Sequence, residues 1–203
     1  MIDGLLKDVI DPFWEALARP LAKAGMTPNQ VTAAGLVLII TVCGLYLWHG
    51  SLAIFGGSLA LAFVFDALDG AVARQTGLSS KAGGYFDAMV DRYQELLVMA
   101  ALGWGTGHWI LCFLGFSGAM MVSYAKARTA IETPISNTAW PDLFERLERV
   151  IFLCVLLVVA GVSGWPWLLS AGLGIYALLC HATALQRIKR AFTILNQIDR
   201  SHN

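Results

Sequence analysis

Residues 65–92 read FDALDGAVARQTGLSSKAGGYFDAMVDR, which sets four aspartates (Asp66, Asp69, Asp87 and Asp91) and two arginines inside an otherwise apolar chain. Around this stretch the charges vanish. No Asp, Glu, Lys or Arg occurs at 24–65, 96–125 or 150–186. Of the 203 residues, 57% are hydrophobic and 14% charged, and the mean hydropathy is +0.64. That balance argues against a soluble globular domain and for an integral membrane protein. A helix needs about 20 apolar residues to cross the hydrocarbon core. Each charge-free run supplies two such segments once the spans beside Asp66 and Asp91 extend into the acidic stretch. Each run is also broken near its middle by a short polar or Gly/Pro/Trp turn, so each predicts a helical hairpin. The expected fold is all-α and polytopic, with six transmembrane helices near 31–48, 52–73, 84–104, 108–127, 150–162 and 168–187.

Lys and Arg cluster on the cytoplasmic side of membrane proteins. Here Lys7, Arg19 and Lys23 precede the first span, and Arg74 and Lys81 separate the second from the third. Lys126, Arg128, Arg146 and Arg149 separate the fourth from the fifth, while Arg187, Lys189, Arg190 and Arg200 follow the sixth. Arg92 falls in the first turns of span three, on the same side. The opposite turns, WHGS, WGTGHW and VSGWPW, carry none of these residues and supply the tryptophans of an interfacial belt. Both termini are therefore expected in the cytoplasm.

Residues 1–25 place Leu5, Leu6, Val9, Ile10, Phe13, Trp14, Leu17 and Leu21 at helical spacing between charges. This fits an amphipathic helix lying along the membrane interface, and equally a helix packed on the bundle. Pro12 is expected to kink it or to start a new helix, and Thr27-Pro28 reads as a capped helix start. The longest connection is the polar stretch at 132–141. With no internal repeat, residues 1–203 form one expected domain, the interfacial helix at 1–25 and the six-helix bundle at 31–190. Cys43, Cys112, Cys154 and Cys180 fall in apolar spans with no C-x-x-C pairing, as packing residues do. Net charge is zero, which predicts no nucleic-acid partner. The first thirty residues lack the apolar core of a cleavable signal peptide.

Asp66 and Asp69 are three apart and Asp87 and Asp91 four apart, so each pair lies on one face of a helix. Four carboxylates in one volume at the cytoplasmic ends of two neighbouring spans repel one another and resist leaving water. Salt bridges to Arg74 and Arg92 could neutralise two of them. Divalent cations would neutralise all four, through the oxygen ligands that Mg²⁺, Mn²⁺ or Ca²⁺ take. Such a metal usually shares its shell with substrate phosphates, which makes a diphosphate the inferred substrate. Gly70 and Gly83 leave room for close approach of ligand or of helix.

The pattern Asp66-x2-Asp69-Gly70-x2-Ala73-Arg74-x8-Gly83-x3-Asp87-x3-Asp91 resembles the signature of the CDP-alcohol phosphotransferase family at all eight fixed positions. The resemblance implies transfer of a phosphatidyl-type group from a CDP-linked lipid such as CDP-diacylglycerol to a hydroxyl. CMP is released, and two divalent cations, Mg²⁺ or Mn²⁺, take part. Asp66, Asp69, Asp87 and Asp91 would be metal ligands, with Asp91 also the general base. Asp69, Gly70, Ala73, Arg74 and Gly83 would hold the cytidine nucleotide. TPNQVT resembles the family's entry to its first span and adds Pro28, Asn29 and Thr32 to the nucleotide site.

Three cytoplasmic segments, SYAKAR (123–128), ERLER (145–149) and QR (186–187), look like those of the phosphatidylinositol phosphate synthase branch and its archaeal relatives. By that likeness Lys126, Arg149 and Arg187 would bind the phosphate of inositol phosphate; glycerol 3-phosphate is the competing acceptor. Plain cytoplasmic charge bias accounts for the same cations without any ligand. The likeness further implies phospholipid biosynthesis at the inner membrane of a prokaryote, with a cytoplasmic site, and a homodimer. Two rival functions share parts of the pattern. Membrane prenyltransferases use Asp-rich helices, but in two separate motifs; cation transporters use intramembrane carboxylates, usually near the midplane between repeats.

Overall fold

The structure is a computed structural model that describes residues 7–134 and 142–202. Eight helices run through the described residues: α1 Lys7–Lys23, α2 Pro28–His49, α3 Leu52–Asp66, α4 Leu68–Thr76, α5 Lys81–Thr106, α6 Trp109–Glu132, α7 Arg146–Ser163 and α8 Leu168–His202. Their ends follow local chemistry. Thr27 caps α2 with a reciprocal box, its Oγ1 accepting from the Gln30 N–H at 3.3 Å while Gln30 Oε1 accepts from the Thr27 N–H at 2.9 Å. Ser51 and Ser80 cap α3 and α5. Gly50, Gly77, Gly107 and Gly164 end helices with φ between 65° and 76°, a left-handed conformation that favours glycine.

Four stretches are long and apolar enough to cross a membrane: Pro28–His49, Leu52–Thr76, Trp109–Glu132 and Leu168–Arg200. The expected third and fifth spans are also helices but fall short of that standard. Helix α5 carries Asp87, Asp91, Arg92 and Glu95, and α7 has 18 residues with Arg146, Glu148 and Arg149 in its first turn. Two boundaries differ from expectation. The second span is interrupted at Ala67, between α3 and α4. Helix α8 continues past Arg187 to His202, a stretch free of Gly and Pro. The connection at 132–141 lies mostly outside the described residues, as do Leu5 and Leu6.

Helix α2 packs on α3 and on α5, α3 on α7, and α6 on α8; α3 and α7 run antiparallel, whereas α2 with α5 and α6 with α8 run parallel. The core contains Ile39, Tyr46, Phe55, Leu59, Leu102, Leu157 and Leu173, with the Tyr46 and Phe55 rings stacked at 4.1 Å. The four cysteines are buried and free. Small residues bring backbones together, as is usual between helices in lipid. A Cβ on Gly56 would stand 2.8 Å from the Cys154 carbonyl oxygen and 2.9 Å from the Val158 nitrogen. Trp48 and Trp104 project from the turn end of the bundle, 85% and 74% exposed. At the other end α1 packs on α4 through Ala18, Trp14 and Leu21, while its Phe13 stays exposed.

Gly56 and Gly57 provide a matched test, because nothing lies within 4 Å of a Cβ at Gly57. Gly56→Val should force α3 from α7 and destabilise by about 1–3 kcal/mol, lowering the thermal midpoint in detergent, whereas Gly57→Val should leave it in place. Equal midpoints for the two variants would contradict this packing.

Candidate functional site

The break at Ala67 sends the two aspartates around it in different directions. Asp66, the last residue of α3, is 2% exposed and faces α5 and α7. Its Oδ1 accepts from Gln94 Nε2 at 2.7 Å and its Oδ2 from Arg146 Nη2 at 2.9 Å. Gly35 on α2 makes the space, since a Cβ there would lie 2.6 Å from Asp66 Oδ1. Asp69, in the first turn of α4, turns toward α2. Its Oδ2 accepts from Thr32 Oγ1 at 2.5 Å and its Oδ1 from the Gly70 N–H at 2.5 Å, and it borders the same cavity as Asp87 of α5.

Asp91 lies one turn further along α5 and is nearly buried. Arg146 Nη2 stands 2.7 Å from its Oδ1, yet that oxygen has no hydrogen bond. The geometry explains this: Nη2 has two hydrogens, and they point to Asp66 and to Gln94 Oε1 at 2.8 Å. Asp91 receives charge from Arg146 without a bond.

The four carboxylates thus fall into two sets: Asp69 and Asp87 border one cavity, and Asp66 and Asp91 share the Arg146 guanidinium. The expectation of four groups aimed into one volume needs this refinement. Among the described residues no three acidic, His or Cys side chains are gathered closely enough to cage a metal by themselves. The physical reason lies in the neighbours. A guanidinium stands between Asp66 and Asp91, and Asp69 is held by Thr32 and the Gly70 N–H.

Two cavities flank the pairs. One, of about 290 Å³, is walled by Pro28, Asn29 and Thr32 of α2, by Asp69, Gly70, Ala73 and Arg74 of α4, and by Gly83 and Asp87 of α5. All eight expected nucleotide residues meet there. The first turns of α2 and α5 both border it, and helix N-termini favour anions. A Cβ on Gly83 would crowd Ser80 Oγ at 3.1 Å and Asn29 Oδ1 at 3.3 Å.

The second cavity, of about 550 Å³, is lined by Asp91 and Arg92 of α5, Ser123 and Lys126 of α6, Arg146 and Arg149 of α7 and Arg187 of α8. The three expected acceptor residues therefore come together beside Asp91. Arg149 is 2% exposed; it donates to Glu95 Oε1 from Nη2 at 2.6 Å and from Nε at 3.3 Å, and to the Phe144 carbonyl at 3.3 Å. Arg187 donates from Nε to Asp142 Oδ2 at 2.8 Å and to the Val122 carbonyl at 2.6 Å, and its Nη2 also reaches Asp142. Arg92 donates to Ser123 Oγ. Arg128 lies elsewhere, in an exposed pair with Glu132 at 2.5 Å.

Sequence reasoning missed four members of this region. Gln94 and Glu95 could have been found, because they follow Asp87 and Asp91 at helical spacing. Arg146 appeared as one of several basic residues at a helix end. Asp142 carried no signal beyond its place in a polar loop.

Comparison with known proteins agrees over most of the chain. The profile described as CDP-alcohol phosphatidyltransferase matches residues 25–185. An archaetidylinositol phosphate synthase of Pyrococcus horikoshii is 36% identical over 180 residues, covering 87% of this chain and 89% of its own. A phosphatidylinositol phosphate synthase of Mycobacteroides abscessus is 30% identical over 207 residues, covering 98% and 92%. The crystal structure of the Mycobacterium tuberculosis phosphatidylinositol phosphate synthase with CDP-DAG bound is similar with a TM-score of 0.77 at 28% identity, over 89% of this chain and 94% of that one. The same enzyme with manganese and citrate gives 0.79 at 26%, over 89% of each. With a family profile and relatives that span nearly its full length, the chain belongs to the CDP-alcohol phosphatidyltransferase family and is an integral-membrane transferase.

Proposed function

We propose that this transferase moves a phosphatidyl-type group from a CDP-diacylglycerol-type lipid to inositol phosphate, releasing CMP. The observation that carries the proposal is the position of Asp91, on the wall of the cationic cavity and one turn from Asp87 on the wall of the other. The names of the relatives and the CDP-DAG bound to a structural relative support it. Family membership removes the prenyltransferase and cation-transporter readings.

The carboxylate set suits hard, oxygen-seeking cations. It carries more negative charge than Arg146 neutralises, and two of its members, Asp69 and Asp87, border the nucleotide-side cavity. Asp66, Asp69, Asp87 and Asp91 would hold two divalent ions, Mg²⁺ or Mn²⁺; a structural relative is solved with manganese. When bound, such ions draw charge from the diphosphate and stabilise departing CMP.

The remaining work falls to the chain. Thr32 orients Asp69, and the N-termini of α2 and α5, with Arg74, receive the nucleotide phosphates. Gly70, Ala73 and Gly83 keep that cavity open to the cytidine. Lys126, Arg149 and Arg187 hold the acceptor phosphate and so set its hydroxyl toward Asp91. Asp91 takes the hydroxyl proton as the oxygen bonds to the lipid-side phosphorus and the bond to CMP breaks. Lys126 suits this role, since among the described residues it makes no ion pair.

In the proposed arrangement residues 1–203 are one domain with six spans. Helices α5 and α7 cross with their charged turns toward the site, and α1 lies at the interface. The site and both termini face the cytoplasm, at the inner membrane of a prokaryote. The basic residues at one end of the bundle and the tryptophans at the other support this orientation. A homodimer is proposed from the family likeness alone.

Labelled CDP-diacylglycerol, Mn²⁺ and a panel of alcohols test the acceptor: CMP should appear with inositol phosphate. Release with glycerol 3-phosphate instead would reassign the acceptor, and no release with any alcohol would defeat the proposal. Asp91→Asn should lower turnover by about 10²–10⁴-fold yet keep CMP binding better than Asp66→Asn does; equal loss of binding in both would contradict the base assignment. Arg146→Ala should tighten Mn²⁺ binding to the nucleotide-free enzyme, measured by electron paramagnetic resonance, because the guanidinium no longer competes for Asp66 and Asp91. Weaker binding in that variant would show that Arg146 supports the metal site rather than competing with it.

A further inference from the structure

Glu95 is a buried carboxylate to which the proposed chemistry assigns no task. It follows Asp91 by four residues on α5, is 7% exposed and belongs to the wall of neither cavity. Across the helix interface its Oε1 accepts both bonds from Arg149 already described. On its own helix its Oε2 stands 3.5 Å from Arg92 Nη1. One carboxylate therefore faces two guanidiniums, and both line the cavity read as the acceptor site.

Stability alone is a weak reason for such a group, because apolar packing often replaces a buried ion pair without loss. Its effect on Arg149 is more specific. A guanidinium carries five N–H donors. Two go to Glu95 and one to the Phe144 carbonyl, which fixes a long, flexible side chain and leaves two donors over. Asp142 treats Arg187 in the same way from the far side of the cavity, as a second buried carboxylate behind an arginine.

The geometry points to Glu95 as a positioning residue: it sets the guanidinium plane of Arg149 so that its remaining donors meet the acceptor's phosphate. This rests on reading the cavity as the acceptor site. Simple charge counting makes the opposite prediction, since removing a negative charge from behind a cationic cavity should strengthen phosphate binding.

The test compares Glu95→Gln with wild type in four readouts: KM for inositol phosphate, KM for CDP-diacylglycerol, kcat, and Mn²⁺-dependent CMP binding. Loss of positioning should raise the acceptor KM about tenfold or more, with the lipid KM and CMP binding unchanged. An acceptor KM that stays the same or falls overturns the proposal. If the Gln variant loses CMP binding, and with it evidence of folding, Glu95→Asp carries the test; it keeps the charge on a shorter arm and should show the same split. Parallel loss of CMP binding in that variant also overturns the proposal. Wild-type enzyme that fails to turn over or bind inositol phosphate refutes the acceptor reading itself, an outcome separate from any behaviour of the variants.

Discussion

Carboxylates that leave water must meet compensating charge or hydrogen-bond donors, and in this chain four of them gather where α3, α4 and α5 converge. Asp66 is the most enclosed. Its two oxygens are taken by an amide on α5 and a guanidinium on α7, so three helices are tied together at one point. Asp69 and Asp87 are more open, and they border the cavity walled by the first turns of α2 and α5. The remaining architecture can be understood as the means of holding these groups at the polar end of an apolar bundle.

Glycines and short side chains make that possible. Gly35 leaves room for the Asp66 carboxylate, and Gly77, with φ of 69°, turns the chain between α4 and α5 so that both acidic helices return to the same place. Gly56 lets α3 approach the backbone of α7, the helix that brings Arg146 to Asp66. Behind the second cavity the charges are layered. Arginines line the cavity, and Glu95 and Asp142 are paired with them, so that a cationic wall is built without leaving Arg149 and Arg187 unpaired.

Much of this was legible in the sequence. Charge-free runs broken by tryptophan-bearing turns announced helical hairpins, and the spacing of Asp66 to Asp91 announced an acidic site. The residues expected around a nucleotide fall on one cavity because Pro28, Asn29, Asp69, Gly70 and Gly83 lie in the first turns of helices that converge there, with Thr32, Ala73 and Arg74 one turn further along. The details that escaped depend on contacts between distant segments. Helical spacing treats Asp66 and Asp69 as neighbours on one face, whereas the interruption at Ala67 turns them toward different partners. No pattern around Arg146 signals that it reaches Asp66, eighty residues earlier in the chain. Asp142 lies in a polar loop whose composition says nothing of Arg187, forty-five residues away.

In the proposed site Asp66, Asp69, Asp87 and Asp91, drawn from α3, α4 and α5, hold paired divalent ions against a nucleotide. The decisive measurement is the number of Mn²⁺ ions bound per chain at saturating CMP. Two ions are expected in the wild-type protein, with that binding lost when Asp69 and Asp87 are both replaced by asparagine. A wild-type chain that binds none, or a doubly substituted chain that binds the same number with the same affinity, would contradict this proposal.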